Sequence, residues 1–191
     1  GEQELVRIEF IFRNVNSDIL RPLQAYATNA LLIEGTSRLS SFQISDSIDS
    51  YGAFVQPEYS FDYSSFTLYT LNKHLNAVLP IIKEILTDAV FPQEELDTLI
   101  RNQKQKLLVS LEKNDVVTRR VFNHSLFGNS IYGHLVEAED YDRIDRQQLL
   151  EYYKKAYQPN NCTIIASGKV DNNTVSKINT CFGSDWKADG D

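Results

Sequence analysis

An α+β fold, with helices packed on a mostly antiparallel sheet, is the class this sequence predicts, and two patterns predict it. Val6, Ile8, Phe10 and Phe12 alternate with Arg7, Glu9 and Arg13, the period-2 signature of a strand with one face buried. Most later segments instead repeat their apolar residues every three or four positions, as helices do. The resulting order is strand, two helices, two strands, four helices, strand, helix, which describes a layer of helices on a sheet. At 191 residues and 42% hydrophobic, the chain can bury a substantial core.

After the first strand, NVNSD turns the chain and a helix is expected to start between Asp18 and Pro22, since proline is tolerated in a first turn. Leu23, Ala27, Ala30 and Leu31 form its apolar face, and Gly35 is its stop. Ser40 or Ser41 caps a second short helix, whose apolar positions are Ile44, Ile48 and Tyr51 and which ends at Gly52. Ala53 to Leu71 reads as two strands. Pro57 marks the first as an edge or a bulge, and the second, from Ser64, is rich in aromatic and β-branched residues.

A helix from about Lys73 to Val90 follows, carrying Pro80 inside it and so expected to bend near Asn76 to Pro80. FPQEEL opens a longer helix with Glu94 and Glu95 in its first turn; Leu96, Leu99, Ile100, Leu107 and Leu111 are its expected buried face. Asp115 is the expected cap of another helix through Val117, Val121 and Phe122 to Phe127, stopped by Gly128. GNSIYGHLVEAEDYD reads as a polar loop. Asp145 with Gln148 starts the helix to Tyr157, Cys162 to Ser167 is a strand, and Asp171 caps a last helix through Val175 and Ile178. A single domain over 1–183 with a polar tail over 184–191 is the expected organisation.

With 26 acidic against 19 basic residues the net charge is -7, which argues against nucleic acid or an anionic membrane surface as partner. No apolar run approaches the ~20 residues of a membrane span. Cys162 and Cys181 form no CxxC pair and indicate neither a disulfide framework nor a zinc ribbon. Gly1 and the lack of methionine are read as a fragment of a longer precursor.

Other groups of polar residues read as structural. His74, His124 and His134 are expected at the surface or in a helix-end hydrogen bond. Glu94 and Glu95 suit the helix dipole, and Glu137, Glu139 and Asp140 suit a solvated loop. Ser40 and Ser41 lack a nucleophile elbow and read as caps, and GNSIYG lacks the lysine of a phosphate loop.

Two stretches carry a family resemblance. LQAYATNALLIEG followed by "EGT" and "SYGA" resembles the active-site region of the M16 metallopeptidases, the pitrilysin and insulinase family. The segment from Tyr132 to Val170 is similar to that family's tail pattern, here Tyr132, Gly133, Ile144, Leu149, Tyr153, Tyr157, Pro159, Asn161, Gly168 and Val170. Further strands before the first one are usual in the family. Its members carry His-x-x-Glu-His a few residues before the Gly-Thr, and counting back from Gly35 and Thr36 places those chemical positions on Tyr26, Asn29 and Ala30.

In the family, the two histidines and a downstream glutamate hold zinc, and the glutamate between the histidines takes a proton from the bound water. Tyrosine is a poor ligand because its phenol ionises at about 10; asparagine is no base and alanine no donor. The downstream position falls at Leu107 or Leu108, with Glu112 a helical turn too far. The resemblance therefore implies an M16-like domain with its zinc site erased and no cofactor expected in this chain, although zinc belongs to the family. It implies a structural and substrate-enclosing partner of a second, zinc-bearing M16 half or subunit in peptide proteolysis. An active zinc metalloendopeptidase and a scaffold without proteolytic role are the alternatives. The family binds peptide along an exposed strand edge, which here would be Ala53, Phe54, Val55 and Gln56, continuing to Tyr59. Tyr26 is expected to fill the vacated pocket against Leu107 or Leu108.

Overall fold

The alternation of the first strand sets the architecture. Strand β1 (Leu5–Arg13) lies antiparallel to two later strands, and a further strand completes the sheet: β2 (Phe54–Tyr59), β3 (Tyr63–Leu71) and β4 (Cys162–Gly168), in the order β2-β3-β1-β4. The structure is a computed structural model and describes residues 4–15, 20–183 and 186–187. Phe10 lies opposite Phe66 and Ile8 opposite Leu68. Paired residues share a face, so Val6, Ile8, Phe10, Phe12, Phe66 and Leu68, all fully buried, form one apolar surface that the helices cover. Each such side chain contributes about 1.5–3 kcal/mol by leaving water.

The other face is polar: Arg7 pairs with Glu9 at 2.8 Å and donates to the Tyr69 hydroxyl at 3.2 Å, while Phe54 and Ile165 are exposed. Pro57 is accommodated without any slip in register, opposite Phe66, because β2 is an edge strand, where its missing N–H leaves no interior bond unmade.

The helices are α1 (Gln24–Ala30), α2 (Ser41–Asp49), α3 (Leu75–Thr87), α4 (Gln93–Leu111), α5 (Asn114–Phe127), α6 (Ala138–Asp142), α7 (Arg146–Ala156) and α8 (Asn172–Phe182). α1 is shorter than its sequence predicts. Asp18 lies outside the described residues, and beyond Ala30 the chain tightens into a 3-10 turn over Leu32–Glu34. The reason is the Gly35–Thr36 corner. Gly35 adopts φ +154°, and a Cβ there would come within 3.1 Å of Pro92 Cγ. Thr36 donates its hydroxyl to Glu84 at 2.7 Å and accepts from the Leu39 N–H at 2.9 Å. The Gly-Thr landmark is thus a structural joint between α1, α2 and α3.

Ser40 caps α2 in a reciprocal capping box with Gln43, while Ser41 donates to Glu34. Tyr51 lies beyond the helix and packs against His74, ring centroids 5.6 Å apart. α3 begins after a 3-10 turn over Asn72–His74, and Pro80 sits inside it. Arg146, at the start of α7, donates to the carbonyls of Val90 and Phe91 and holds the left-handed backbone of Phe91, φ 49°.

Four further expectations are corrected. The acidic loop contains α6, because Glu137 and Asp140 cap each other's backbone. Asp115 is not a cap but lies in the first turn of α5, after Lys113. On α8 the inner row is Thr174, Ile178 and Phe182; Thr174 is drawn in by hydrogen bonds to Asp171, and Val175 is exposed. The largest difference concerns α4 and α5. Leu96 is the only fully buried residue of α4 and α5 has none, so Val117, Val121 and Phe122 face outward. Cys162 and Cys181 remain thiols. Trp186, assigned to the tail by sequence, packs between Phe12 and Phe182.

Candidate functional site

α1 brings the three motif positions of the sequence to the end of the sheet where β2 and β3 meet. Asn29 is 2% exposed, and its amide is fully engaged. Its Nδ2 donates to the Glu58 carbonyl at 2.8 Å and more weakly to the Ser65 carbonyl at 3.4 Å, and its Oδ1 accepts from the Tyr157 hydroxyl at 2.9 Å. One side chain therefore ties α1 to β2, to β3 and to the end of α7. An amide suits this place because it is at once donor and acceptor; a carboxylate would face two carbonyl oxygens with nothing to donate.

Tyr26 lies half-buried with its ring edge-on to Tyr59, centroids 5.8 Å apart. Burial, with a smaller effect of Tyr141, pushes its phenol up to about 12, so the phenolate that could bind a metal is further from reach than in water. Tyr59, the last residue of β2, is likewise raised to about 12 by burial and by Asp62. Ala30 offers a methyl group. Leu107 is half-buried and Leu108 61% exposed, and the aromatic neighbour of Tyr26 is Tyr59. A phenol, an amide and a methyl group do not make a zinc donor set. Among the described residues, no three of His, Cys, Asp and Glu stand together as metal ligands do.

From Tyr59 the aromatic contacts continue outward. Tyr59 meets Phe61 at 6.2 Å, Phe61 meets Tyr132 at 5.4 Å, and Tyr132 meets Phe127 at 5.8 Å. This row of rings joins the buried motif to the start of the loop after α5, and sequence reading missed it because its members are far apart in the chain. Tyr157 was missed as a partner of Asn29 for the same reason, although its place in the tail pattern singled it out. Asn161, five residues after the last residue of α7, donates to the carbonyls of Ala156 and Arg13 and fixes the turn into β4.

The candidate edge, Ala53 to Gln56, begins just before β2 and runs into it, one of the two outermost strands, with Ala53 buried, Phe54 exposed and Val55 and Gln56 half-buried. The histidines do not converge. His124 hydrogen-bonds the Gly133 carbonyl at 2.9 Å, whereas His134 pairs with Asp140 at 2.7 Å. Asp140 is not solvated as expected: it is 4% exposed and also takes the Glu137 N–H and Arg143. The GNSIYG turn is held by a close approach, since a Cβ on Gly133 would sit 2.2 Å from the Gly128 carbonyl oxygen. Glu94 and Glu95 occupy the first turn of α4.

The profile of the insulinase family, peptidase family M16, matches residues 24–137, and that of the peptidase M16 inactive domain matches residues 143–190. The chain belongs to the M16 peptidase family. Among its relatives, an uncharacterized zinc protease of Streptomyces coelicolor is 22% identical over 147 residues, which are 76% of this chain and 32% of that protein. The uncharacterized zinc protease YmxG of Bacillus subtilis is 21% identical over 156 residues, 81% of this chain and 38% of its own. The chain thus spans about a third of the curated relatives it matches.

A crystallised peptidase M16 inactive domain from Pseudomonas fluorescens superposes with a TM-score of 0.90 at 20% identity, over 99% of this chain and 47% of that one. The first half of the periplasmic protease PqqL from Escherichia coli gives 0.82 at 18% identity, over 97% and 42%. The α+β M16 fold is shared with both. Zinc is a property of the family through its zinc-protease relatives, and no helix among the described residues is long and apolar enough to cross a membrane.

Proposed function

We propose that this chain is a noncatalytic M16 domain, the structural and substrate-enclosing partner of a zinc-bearing M16 half or subunit that hydrolyses peptides. The observation that carries this reading is Asn29. At the place where the family's general base would stand, both ends of a buried amide are used to join α1 to β2, β3 and α7. With Tyr26 and Ala30 at the ligand positions and Leu107 or Leu108 at the downstream one, the residues do not fit zinc, and no step of hydrolysis is assigned to this chain.

The neighbourhood of a partner is supported by the relatives. The chain matches 47% of a solved M16 inactive-domain chain, 42% of the first half of a periplasmic protease, and a segment of a mitochondrial-processing peptidase subunit of Dictyostelium discoideum. The outer edge of β2 with the residue before it, Ala53 to Gln56, is the place where an extended peptide would add as a further strand, with Pro57 limiting the pairing.

The test is native purification of the full-length protein from its source, with identification of co-purifying chains, zinc quantification and peptide hydrolysis with and without a chelator. Chelator-sensitive hydrolysis, with zinc accounted for by an intact His-x-x-Glu-His elsewhere in the polypeptide or in a co-purifying M16 chain, is the expected result. Zinc held by residues 1–191 would make this chain an enzyme in its own right. Recovery of a partner without hydrolysis would make it a scaffold.

A further inference from the structure

α5 is a fourteen-residue helix without one buried side chain. Val121, Phe122, Leu126 and Phe127 are 55%, 60%, 60% and 51% exposed, and Leu108 and Val109 on α4 are 61% and 53% exposed. Phe122 and Leu126 lie four apart, and Val121 adjoins them, so they form one stripe rather than scattered positions. The opposite side of α5 is held by polar contacts: Arg120 donates to the Val136 carbonyl at 2.8 Å and pairs with Glu137 at 3.2 Å, and His124 bonds Gly133. An isolated helix of this length is marginal in water, and a large apolar stripe left bare promotes aggregation, so the sequence of α5 is written for a covered helix.

The charge around the stripe is distinctive. Residues 101–127 hold six basic side chains against two acidic ones, in a chain with 19 basic and 26 acidic residues. Two of the six are paired within the chain, Lys104 with Asp142 and Arg120 with Glu137. Lys106, Lys113 and Arg119 have no carboxylate partner among the described residues.

We infer that the outer face of α5 and the second half of α4 form the docking surface for a second M16-type unit, one that presents an apolar patch bordered by carboxylates. The identity of the occupant rests on the partner reading above. Two observations favour it over a peptide. This fold superposes at a TM-score of 0.90 on 47% of a longer M16 chain, so it occurs beside further chain that can stay in place. A peptide passing through would leave the stripe bare between turnovers, whereas a permanent neighbour, at high effective concentration if tethered, keeps it dry. The basic rim supplies register and orientation.

The test uses the full-length protein with a photo-crosslinking benzoylphenylalanine in place of Phe122, and a control carrying it at Phe42, which is 77% exposed on α2. Irradiation followed by peptide mapping should join position 122, and not 42, to a second M16-type unit in the same polypeptide or in a co-purifying M16 chain. The double variant Val121→Asp/Leu126→Asp, its fold verified by circular dichroism, should lower that yield by about tenfold or more, the scale of a single lost contact energy of binding. Crosslinking to a second copy of this segment, to a peptide or to an unrelated protein, or none at all, would overturn the docking assignment. Those outcomes leave the noncatalytic reading standing, since its own readouts are zinc and hydrolysis.

Discussion

The sheet side of the molecule and the α4–α5 arm are built from the same kinds of side chain and end in opposite environments. Phe10, Phe12, Phe66 and Leu68 are wholly buried by elements of their own chain, while Phe122, Leu126 and Phe127 keep half or more of their surface in water. The contrast teaches that hydrophobic periodicity identifies a face that must be covered but is silent on what covers it. Within the sheet the partner is supplied by α1, α3 and α8 of the same chain; on the arm the apolar side chains stay exposed.

The widest separation between the two regions is expected from truncating a ring in each. Phe66→Ala should cost about 3–5 kcal/mol in chemical denaturation, through lost burial and the cavity left behind. Asn29→Asp comes next, at about 3 kcal/mol near neutral pH, because it removes two donated bonds and buries a charge against carbonyl oxygens. Burial raises the folded pKa of that new carboxyl above its unfolded value of about 4. The variant is therefore nearest the parent below pH about 4 and loses stability as pH rises through the raised value. A flat pH profile would show that Asn29 is not the junction described.

Alkaline titration gives a smaller and complementary effect. Tyr26 and Tyr59, raised to about 12 mainly by burial, keep their full contribution below the unfolded phenol pKa of about 10 and lose it as pH climbs to 12. Amide protection near α1 and β2, taken relative to the intrinsic base-catalysed rate, should fall over that range. Residues 101–127 contain no tyrosine, so the arm should not follow. The smallest effect is Phe122→Ala, expected within about 0.5 kcal/mol for this chain by itself. A loss as large as that of Phe66→Ala would mean that the arm is packed within this chain after all.

The sheet was legible in the sequence because a period of two has one meaning once a face is buried: Val6 to Phe12 alternates, and the structure pairs it on both sides. Caps were legible where a short polar side chain precedes a helix, as at Ser40, Asp145 and Asp171. Asp115 failed because a residue that can cap can equally occupy the first turn. The α6 helix was hidden by its acidic composition, since reciprocal capping by Glu137 and Asp140 stabilises a helix too short to show periodicity. At the motif, the sequence showed which chemistry Tyr26, Asn29 and Ala30 lack. It did not show what Asn29 does instead, because Glu58, Ser65 and Tyr157 lie 29, 36 and 128 residues away.

That junction limits what position 29 can hold. An asparagine without partners could be exchanged for glutamate at little cost to the fold. Asn29 does not stand idle, since three elements of the fold now depend on its amide. A glutamate would set a longer, charged side chain against two carbonyl oxygens to which it cannot donate, although it could still accept from the Tyr157 hydroxyl, so the exchange is unfavourable to folding. The surrounding residues thus set the chemistry that position 29 can carry: Glu58 and Ser65 require a donor and Tyr157 an acceptor, and a side-chain amide is both.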